Sequence, residues 1–171
     1  MKFYDGRNYR VLKAPLLNGA GTQNAGNANY VSANSSIARF ELQSDGAVLI
    51  PLGLQILIED TDSDYNKFGN QSALSTGLQI RIEEAADNSV IFDCLYGAKI
   101  TSVQAAFRLG ADIEPLNDSR GATRSTNIWL PFFGRQKINH NEQLAVLHSD
   151  NITVSGLYYW LYYVLDGGLG S

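Results

Sequence analysis

Residues 152–166, I-T-V-S-G-L-Y-Y-W-L-Y-Y-V-L-D, contain the longest apolar run of the chain, nine residues from 157 to 165. Four of the nine tyrosines and one of the two tryptophans lie in this stretch. Tyr, Trp and Val favour extended backbone because bulky side chains fit a pleated surface better than a helix turn. We therefore predict a long closing β-strand, with Gly156 marking a bend or bulge near its start.

Side chains on a strand alternate between its two faces. One face of the closing strand then contains Leu157, Tyr159, Leu161, Tyr163 and Leu165, and the other contains Tyr158, Trp160, Tyr162 and Val164. Neither face is polar, so we expect both to be covered. We assign the leucine-rich row to the core. We assign the row of Tyr158, Trp160, Tyr162 and Val164 to an interface with another subunit, because large amphipathic rings suit a contact that retains some water. Exchange of this strand within a homodimer is one form that the contact can take.

Short alternating segments with turn residues between them recur along the whole chain. They span residues 37–43, 47–59, 78–83, 90–96, 128–133 and 142–149, with a further short strand in 9–17 and breaks expected at Pro51 and Gly53. Residues 60–77 are predicted to be a polar turn region and 111–126 a loop, whereas 99–109 fits a helix or a strand. Eight or nine strands at this spacing predict an all-β fold, an antiparallel barrel or sandwich, and the unequal loops favour a single jelly roll.

The segment 18–36 differs from the rest because it consists almost entirely of Asn, Gly, Ala and Ser and has no charged residue. It has too little apolar surface to offset its own conformational entropy, so we predict a polar N-terminal arm or long loop ordered mainly by neighbours. The length of 171 residues is typical of one domain, and we assign 1–171 to a single jelly-roll domain.

Composition argues against several classes of function. The net charge of -4 and the scattered Arg and Lys residues disfavour a nucleic-acid binder, which needs a basic patch. The nine-residue apolar run is too short for a membrane-spanning helix, which needs about 20 residues. The single cysteine, Cys94, lies in an apolar run and is predicted to be a buried, inert thiol.

The candidate chemical groups form no catalytic pattern. The acidic stretch 59–66 has the spacing of a calcium loop, but Tyr65 and Gln71 stand where an EF-hand needs Gly and Glu. A calcium site of another type and a solvated strand connection both stay open. His140 and His148 are too few for a His-based metal centre, and His148 is expected to be a half-buried packing residue. We therefore predict no enzymatic activity, no cofactor and no metal.

The aromatic excess is the unusual feature of the composition. Trp129, Phe132 and Phe133 follow the same aromatic pattern as the closing strand. Three roles are open for these rings: they fill a core, form a protein interface or provide a stacking platform for sugars. Tyr and Trp are enriched at protein interfaces. The closing strand is almost uninterrupted by polar residues, which favours protein contact over sugar binding.

The layout as a whole resembles a viral capsid jelly roll. A polar arm at 18–36 precedes about eight strands, and the chain closes with E-Q-L-A-V-L-H-S, D-N-I-T-V-S-G and L-Y-Y-W-L-Y-Y-V-L. In size and order it is similar to the smaller major capsid protein of tailless, membrane-containing icosahedral phages of thermophilic bacteria. The resemblance implies a structural virion protein assembled in the host cytoplasm, beside a larger capsid protein and near an internal membrane that it does not span. The alternative function is a carbohydrate-binding or receptor-binding β-sandwich module.

Overall fold

A computed structural model of the chain describes residues 10–13, 36–41, 48–60, 65–68, 73–117, 124–132, 136–148, 150, 152, 154 and 156–166. Nine strands and one short helix lie in these residues. In chain order they are β1 (Arg10–Lys13), β2 (Ser36–Glu41), β3 (Val48–Asp60), β4 (Gln79–Glu84), β5 (Val90–Asp93), α1 (Val103–Arg108), β6 (Asp112–Asn117), β7 (Arg124–Pro131), β8 (Glu142–His148) and β9 (Gly156–Asp166).

The strands form two sheets in which each described pairing is antiparallel. The five-stranded sheet has the order β1-β9-β3-β7-β6, and the four-stranded sheet has the order β2-β8-β4-β5. The prediction of an all-β antiparallel sandwich is therefore confirmed. The predicted arm lies outside the described residues except for Ser36, which begins β2.

The core lies between the two sheets and is built from alternate residues of each strand. Leu54 and Ile56 on β3 face their partners Leu161 and Tyr159 on β9, and all four are at most 1% exposed. Ile80, Ile82, Leu144 and Val146 contribute the opposite wall. The leucine-rich row of β9 therefore faces the core, as the sequence indicated.

Two glycines, Gly53 in β3 and Gly156 at the start of β9, act differently from the sequence prediction. β3 continues through Pro51 and Gly53, and only its register with β9 shifts between them, so the expected break is a bulge. Gly156 begins β9 opposite Glu59 without a register shift. A Cβ there would come within 2.6 Å of Glu59 Oε2, so this glycine permits a close approach instead of a bend.

The prediction of a loop at 111–126 is wrong, because most of this segment is strand. β6 and the start of β7 form a hairpin in which Pro115 is opposite Thr126. β6 is an edge strand, which tolerates a proline and polar residues that would disrupt a central strand. The polar turn region 60–77 likewise contains the buried side chains of Phe68 and Leu74.

The ambiguous segment 99–109 contains the helix α1. Ser102 caps it, since its Oγ accepts a hydrogen bond of 3.1 Å from the Ala105 amide. Val103 and Ala106 bury the inner side of this helix in the core. The capping serine and the helical spacing of the buried residues explain why helix prevails over strand here.

Candidate interaction face on the five-stranded sheet

The outer side of the five-stranded sheet presents a group of rings around two polar side chains. We define the aromatic face as Tyr158, Trp160 and Tyr162 of β9, Gln55 of β3, and Asn127 and Trp129 of β7. Gln55 is the register partner of Trp160 on one side and of Trp129 on the other, so these three lie in one cross-strand row. All six side chains are half-buried.

The rings of the aromatic face contact one another in two pairs. Tyr158 and Trp160 are stacked, with ring centroids 5.6 Å apart and planes inclined by 26°. Trp129 and Tyr162 meet edge to face across β3, with centroids 5.0 Å apart. Aromatic pairs of this geometry contribute about 0.5–1.5 kcal/mol beyond the area they bury, so the pairs hold the rings in place.

A chain of hydrogen bonds links the polar groups of the aromatic face. The Tyr162 hydroxyl donates to Gln55 Oε1 at 2.8 Å, and Gln55 Nε2 donates to Asn127 Oδ1 at 2.9 Å. Both polar atoms of the Gln55 side chain are therefore engaged within the face. This chain orients the amide and positions the Tyr162 ring against Trp129.

Gly53 provides the space in which the Trp129 ring lies. A Cβ at this position would be 2.3 Å from Trp129 Cζ2 and 2.5 Å from Cη2, both far inside ordinary contact distance. The glycine sits at the bulge of β3, opposite Tyr162 on β9 and Pro131 on β7. The Trp129 ring can therefore approach β3 this closely only because position 53 has no side chain.

The predicted interface residues share one side of β9, opposite the core row. Tyr158, Trp160 and Tyr162 are half-buried, whereas Val164 is only 9% exposed and pairs with Ile50. Their role in a protein interface stays a prediction. Trp129 lies on this outer face between the buried residues Ile128 and Leu130, so of the three alternatives for this ring the core is excluded.

Sequence reasoning missed Gln55 and Asn127 as members of the face. No local signal marks them, because each is an ordinary outward residue of an alternating strand. They become part of one cluster only through the pairing of β3 with β7 and β9, whose residues lie more than 70 positions away in the chain.

The two edge strands of this sheet have opposite charge. β1, R-V-L-K, contains two basic and no acidic residues, and β6, D-I-E-P-L-N, contains two acidic and no basic residues. Asp112 and Glu114 are exposed. Lys13 is the register partner of Trp160, and Asp112 is that of Trp129. A single cross-strand row therefore runs from Lys13 through Trp160, Gln55 and Trp129 to Asp112.

A second apolar region lies near the edge strand β5 of the other sheet. Val90 is 52% exposed, Ile91 46% and Tyr96 79%. Tyr96 also lines a cavity of about 480 Å³ whose other walls are Cys94, Leu95, Leu109, Leu130, Pro131, Phe132 and Gln136. Burial raises the pKa of the Cys94 thiol in this cavity to about 12, so this thiol is not a nucleophile at neutral pH. The prediction that Cys94 is buried is confirmed.

Asp150 is the most extensively hydrogen-bonded carboxylate of the described residues, and its role is structural. It accepts hydrogen bonds from the amides of Ser75, Thr76 and Gly77 and from both hydroxyls, at 2.5–3.1 Å. Burial alone would raise the pKa of Asp150, but these hydrogen bonds outweigh it and hold the pKa well below its usual range. The carboxylate thus fixes the turn before β4.

His148 is fully buried, at 1% exposure, so the expected half-buried position is wrong. Its Nδ1 lies 3.2 Å from the Asp150 carbonyl oxygen. Burial lowers the pKa of His148, which is therefore neutral in the folded protein at pH 7. The side chain belongs to the inner row of β8, where the sheets meet.

Glu83 departs from the simple alternation of β4, since it lies on the outer side of the four-stranded sheet and is only 2% exposed. Burial raises the pKa of Glu83, and the charges of Arg39 and Arg81 act in the opposite direction. Arg39 Nε is 3.7 Å from Glu83 Oε2. A single buried carboxylate beside two arginines is an ion-pair cluster, and no second buried acid accompanies it among the side chains that the structure describes, whereas paired-carboxylate catalysis requires one.

No metal site emerges from the described part of the chain. Within it, no three His, Cys, Asp or Glu side chains are grouped so that they could hold an ion. Glu59 and Asp60 end β3, and residues 61–64 of the acidic stretch lie outside the described ranges. Among the described residues no helix is both long and apolar enough to cross a membrane.

Comparison with models of known protein families finds no match to this chain, and neither the curated proteins nor the solved structures provide a significant match.

Proposed function

We propose that this chain is a structural assembly protein, a jelly-roll capsid building block whose aromatic face packs against another subunit. The proposal has two parts, a fold type and an interface. The order of the strands supports the first part, and the composition of the aromatic face supports the second.

The strand order supports a jelly roll because the strands pair as a folded long hairpin would. With β6 taken as an addition to the edge, the first strand pairs with the last, β1 with β9. The next pairs inward are β2 with β8, β3 with β7, and β4 with β5. A jelly roll has eight strands in this nested order, divided between two sheets. Many viral capsid domains are jelly rolls.

The single observation that carries the interface is the outward row of three half-buried rings on the interior strand β9, next to Trp129 of β7. Outer faces of antiparallel sheets are normally polar where they meet water. Tyr and Trp are enriched at the centre of protein interfaces, where they combine apolar area with a polar tip. A face of this composition matches the central part of a subunit contact.

A sugar-binding module is the second candidate, because Gln55 and Asn127 lie between rings that could stack on a sugar. The same polar groups argue against it. Gln55 uses one N–H and one lone pair of its amide for Asn127 and Tyr162, so half of its hydrogen-bonding capacity is already engaged within the face. A glycan array with the purified chain tests this candidate, with Trp129→Ala as the variant that removes the platform.

The experiment for assembly is particle incorporation. Particles are purified from cells that produce the virion or complex containing this chain. Mass spectrometry then identifies the proteins in the particles. We expect the wild-type chain at stoichiometric amount in the particles, together with a larger capsid protein. We expect Trp160→Ser with Tyr162→Ser to be folded but absent from the particles. A chain that stays outside every particle, and binds a glycan tightly as a monomer, would replace the assembly proposal with the sugar-binding module.

A further inference from the structure

We infer that the partner on the aromatic face is a second copy of this chain, related by a two-fold axis parallel to the strands. The inference rests on the proposed function, in which the aromatic face packs against another subunit, and it specifies that subunit and the geometry of the contact. It follows from the charge of the edge strands, the order of residues along one cross-strand row, and the size of the face.

The charge distribution is self-complementary about an axis along the central strand β3. On the side of the aromatic face, β1 contributes Lys13, the register partner of Trp160, whereas Arg10 pairs with Tyr163 of the core row. β6 contributes Asp112 and Glu114, which pair with Trp129 and Asn127. Rotation about an axis parallel to β3 places β1 of one copy over β6 of the other, at both edges. An in-plane axis perpendicular to the strands would instead place β1 over β1 and β6 over β6. Like charges facing each other are destabilising, so the parallel axis is favoured.

The same rotation matches the aromatic groups. Because Trp160, Gln55 and Trp129 share one row centred on β3, the axis sets Trp160 of one copy opposite Trp129 of the partner subunit. Gln55 then lies on the axis. Two-fold interfaces use one patch twice, which requires this kind of self-complementary order. Sheets packed face to face keep their strands within about 30° of each other, and an axis parallel to the strands satisfies that requirement.

The face is also large enough for a dimer. Five strands at about 4.8 Å spacing give a width of about 24 Å. The eight residues of β7 and eleven of β9 give lengths of about 26 and 36 Å at roughly 3.3 Å per residue. The resulting area of roughly 600–850 Å² per copy is close to the approximately 800 Å² per partner of a standard stable interface.

Charge reversal tests the arrangement. One variant, Asp112→Lys with Glu114→Lys, makes both edges of this face basic, and another, Lys13→Glu, makes both acidic. Sedimentation equilibrium at low salt measures the dimer dissociation constant of each, alone and in an equimolar mixture, with circular dichroism as the test of folding. We expect each variant alone to dimerise at least tenfold more weakly than wild type, and the mixture to restore dimers. A chain that carries all three changes exchanges the two edge charges and should again form homodimers.

The results separate this geometry from the proposed function. Wild-type dimers with undiminished association of each reversed variant alone would overturn the axis and leave the aromatic interface in place. A wild-type chain that is monomeric at high concentration would overturn the self-association itself and, with it, the axis. Weak association of each variant alone, recovered in the mixture and weakened by salt, supports the axis.

Discussion

Replacement of Gly53 by alanine should disturb the aromatic face in a defined way. The added Cβ would be 2.3 Å from Trp129 Cζ2, whereas carbon atoms in contact prefer about 3.5–4.0 Å. The ring must therefore move by more than about 1 Å. The atoms that clash are the far end of the Trp129 side chain, so the ring rotates away and the backbone of β3 is retained.

The cost of this rotation can be worked out from the contacts that it breaks. The ring loses its edge-to-face contact with Tyr162, about 0.5–1.5 kcal/mol, together with its packing over position 53. Overpacked substitutions typically destabilise by about 1–3 kcal/mol. In a chain of 171 residues each kcal/mol lowers Tm by about 2–4 °C, so we expect a decrease of about 2–12 °C.

A double-mutant cycle with Trp129→Ala isolates the effect. Urea denaturation followed by circular dichroism gives the free energy of unfolding of wild type, Gly53→Ala, Trp129→Ala and the double variant. Without the ring there is no clash, so Gly53→Ala should cost less than about 0.5 kcal/mol, with a coupling energy of about 0.5–3 kcal/mol. An equal cost of Gly53→Ala in both backgrounds would refute the fit between Gly53 and Trp129.

Three further predictions concern buried groups and the arm. Because the pKa of Asp150 is held low when folded, its stabilisation is present above the unfolded pKa of about 4 and is lost as pH falls through the folded pKa. Asp150→Asn should therefore lower stability at pH 7 by about 1–3 kcal/mol and flatten the acid limb in urea titrations. Because the pKa of His148 is lowered in the folded state, the unfolded state binds the proton first as pH falls. The free energy of unfolding should therefore decrease below about pH 6.5. A wild-type stability profile that is flat from pH 7 to 5 would contradict the burial of His148 as a neutral side chain. Limited proteolysis of a verified monomer should cleave within 18–36 first, and equal resistance of this segment and the strands would contradict the expected arm.

The sequence predicts the fold where side chains alternate cleanly. β4 and β8 follow from alternation alone, β9 follows from its run of Tyr, Trp and Val, and the choice of the leucine-rich row of β9 as the core follows from ring chemistry. β6 was missed because an edge strand needs only one paired side and can contain Pro115 and charged residues, so its sequence looks like a loop. The deep burial of Glu83 was missed for a related reason, since the arginine beside it comes from β2, which is distant in the chain.

Only part of the aromatic face could be predicted from the sequence. The row of β9 follows from its own pattern, but its union with Trp129, Gln55 and Asn127 depends on the register of three strands that are far apart in sequence. The register between these strands also depends on the bulge at Gly53, which shifts the pairing of β3 with β9 and which a local pattern does not specify.

The central claim, that the aromatic face is the contact with another subunit, is tested most directly by sedimentation velocity over a wide concentration range. Wild type is compared with Trp160→Ser plus Tyr162→Ser. The matched control is Tyr96→Ser plus Phe107→Ser. It also removes two rings, both exposed and both on other parts of the surface. We predict association of wild type and control, and a folded monomer for the face variant. Undiminished association of the face variant, or equal loss of association in the control, would contradict the claim.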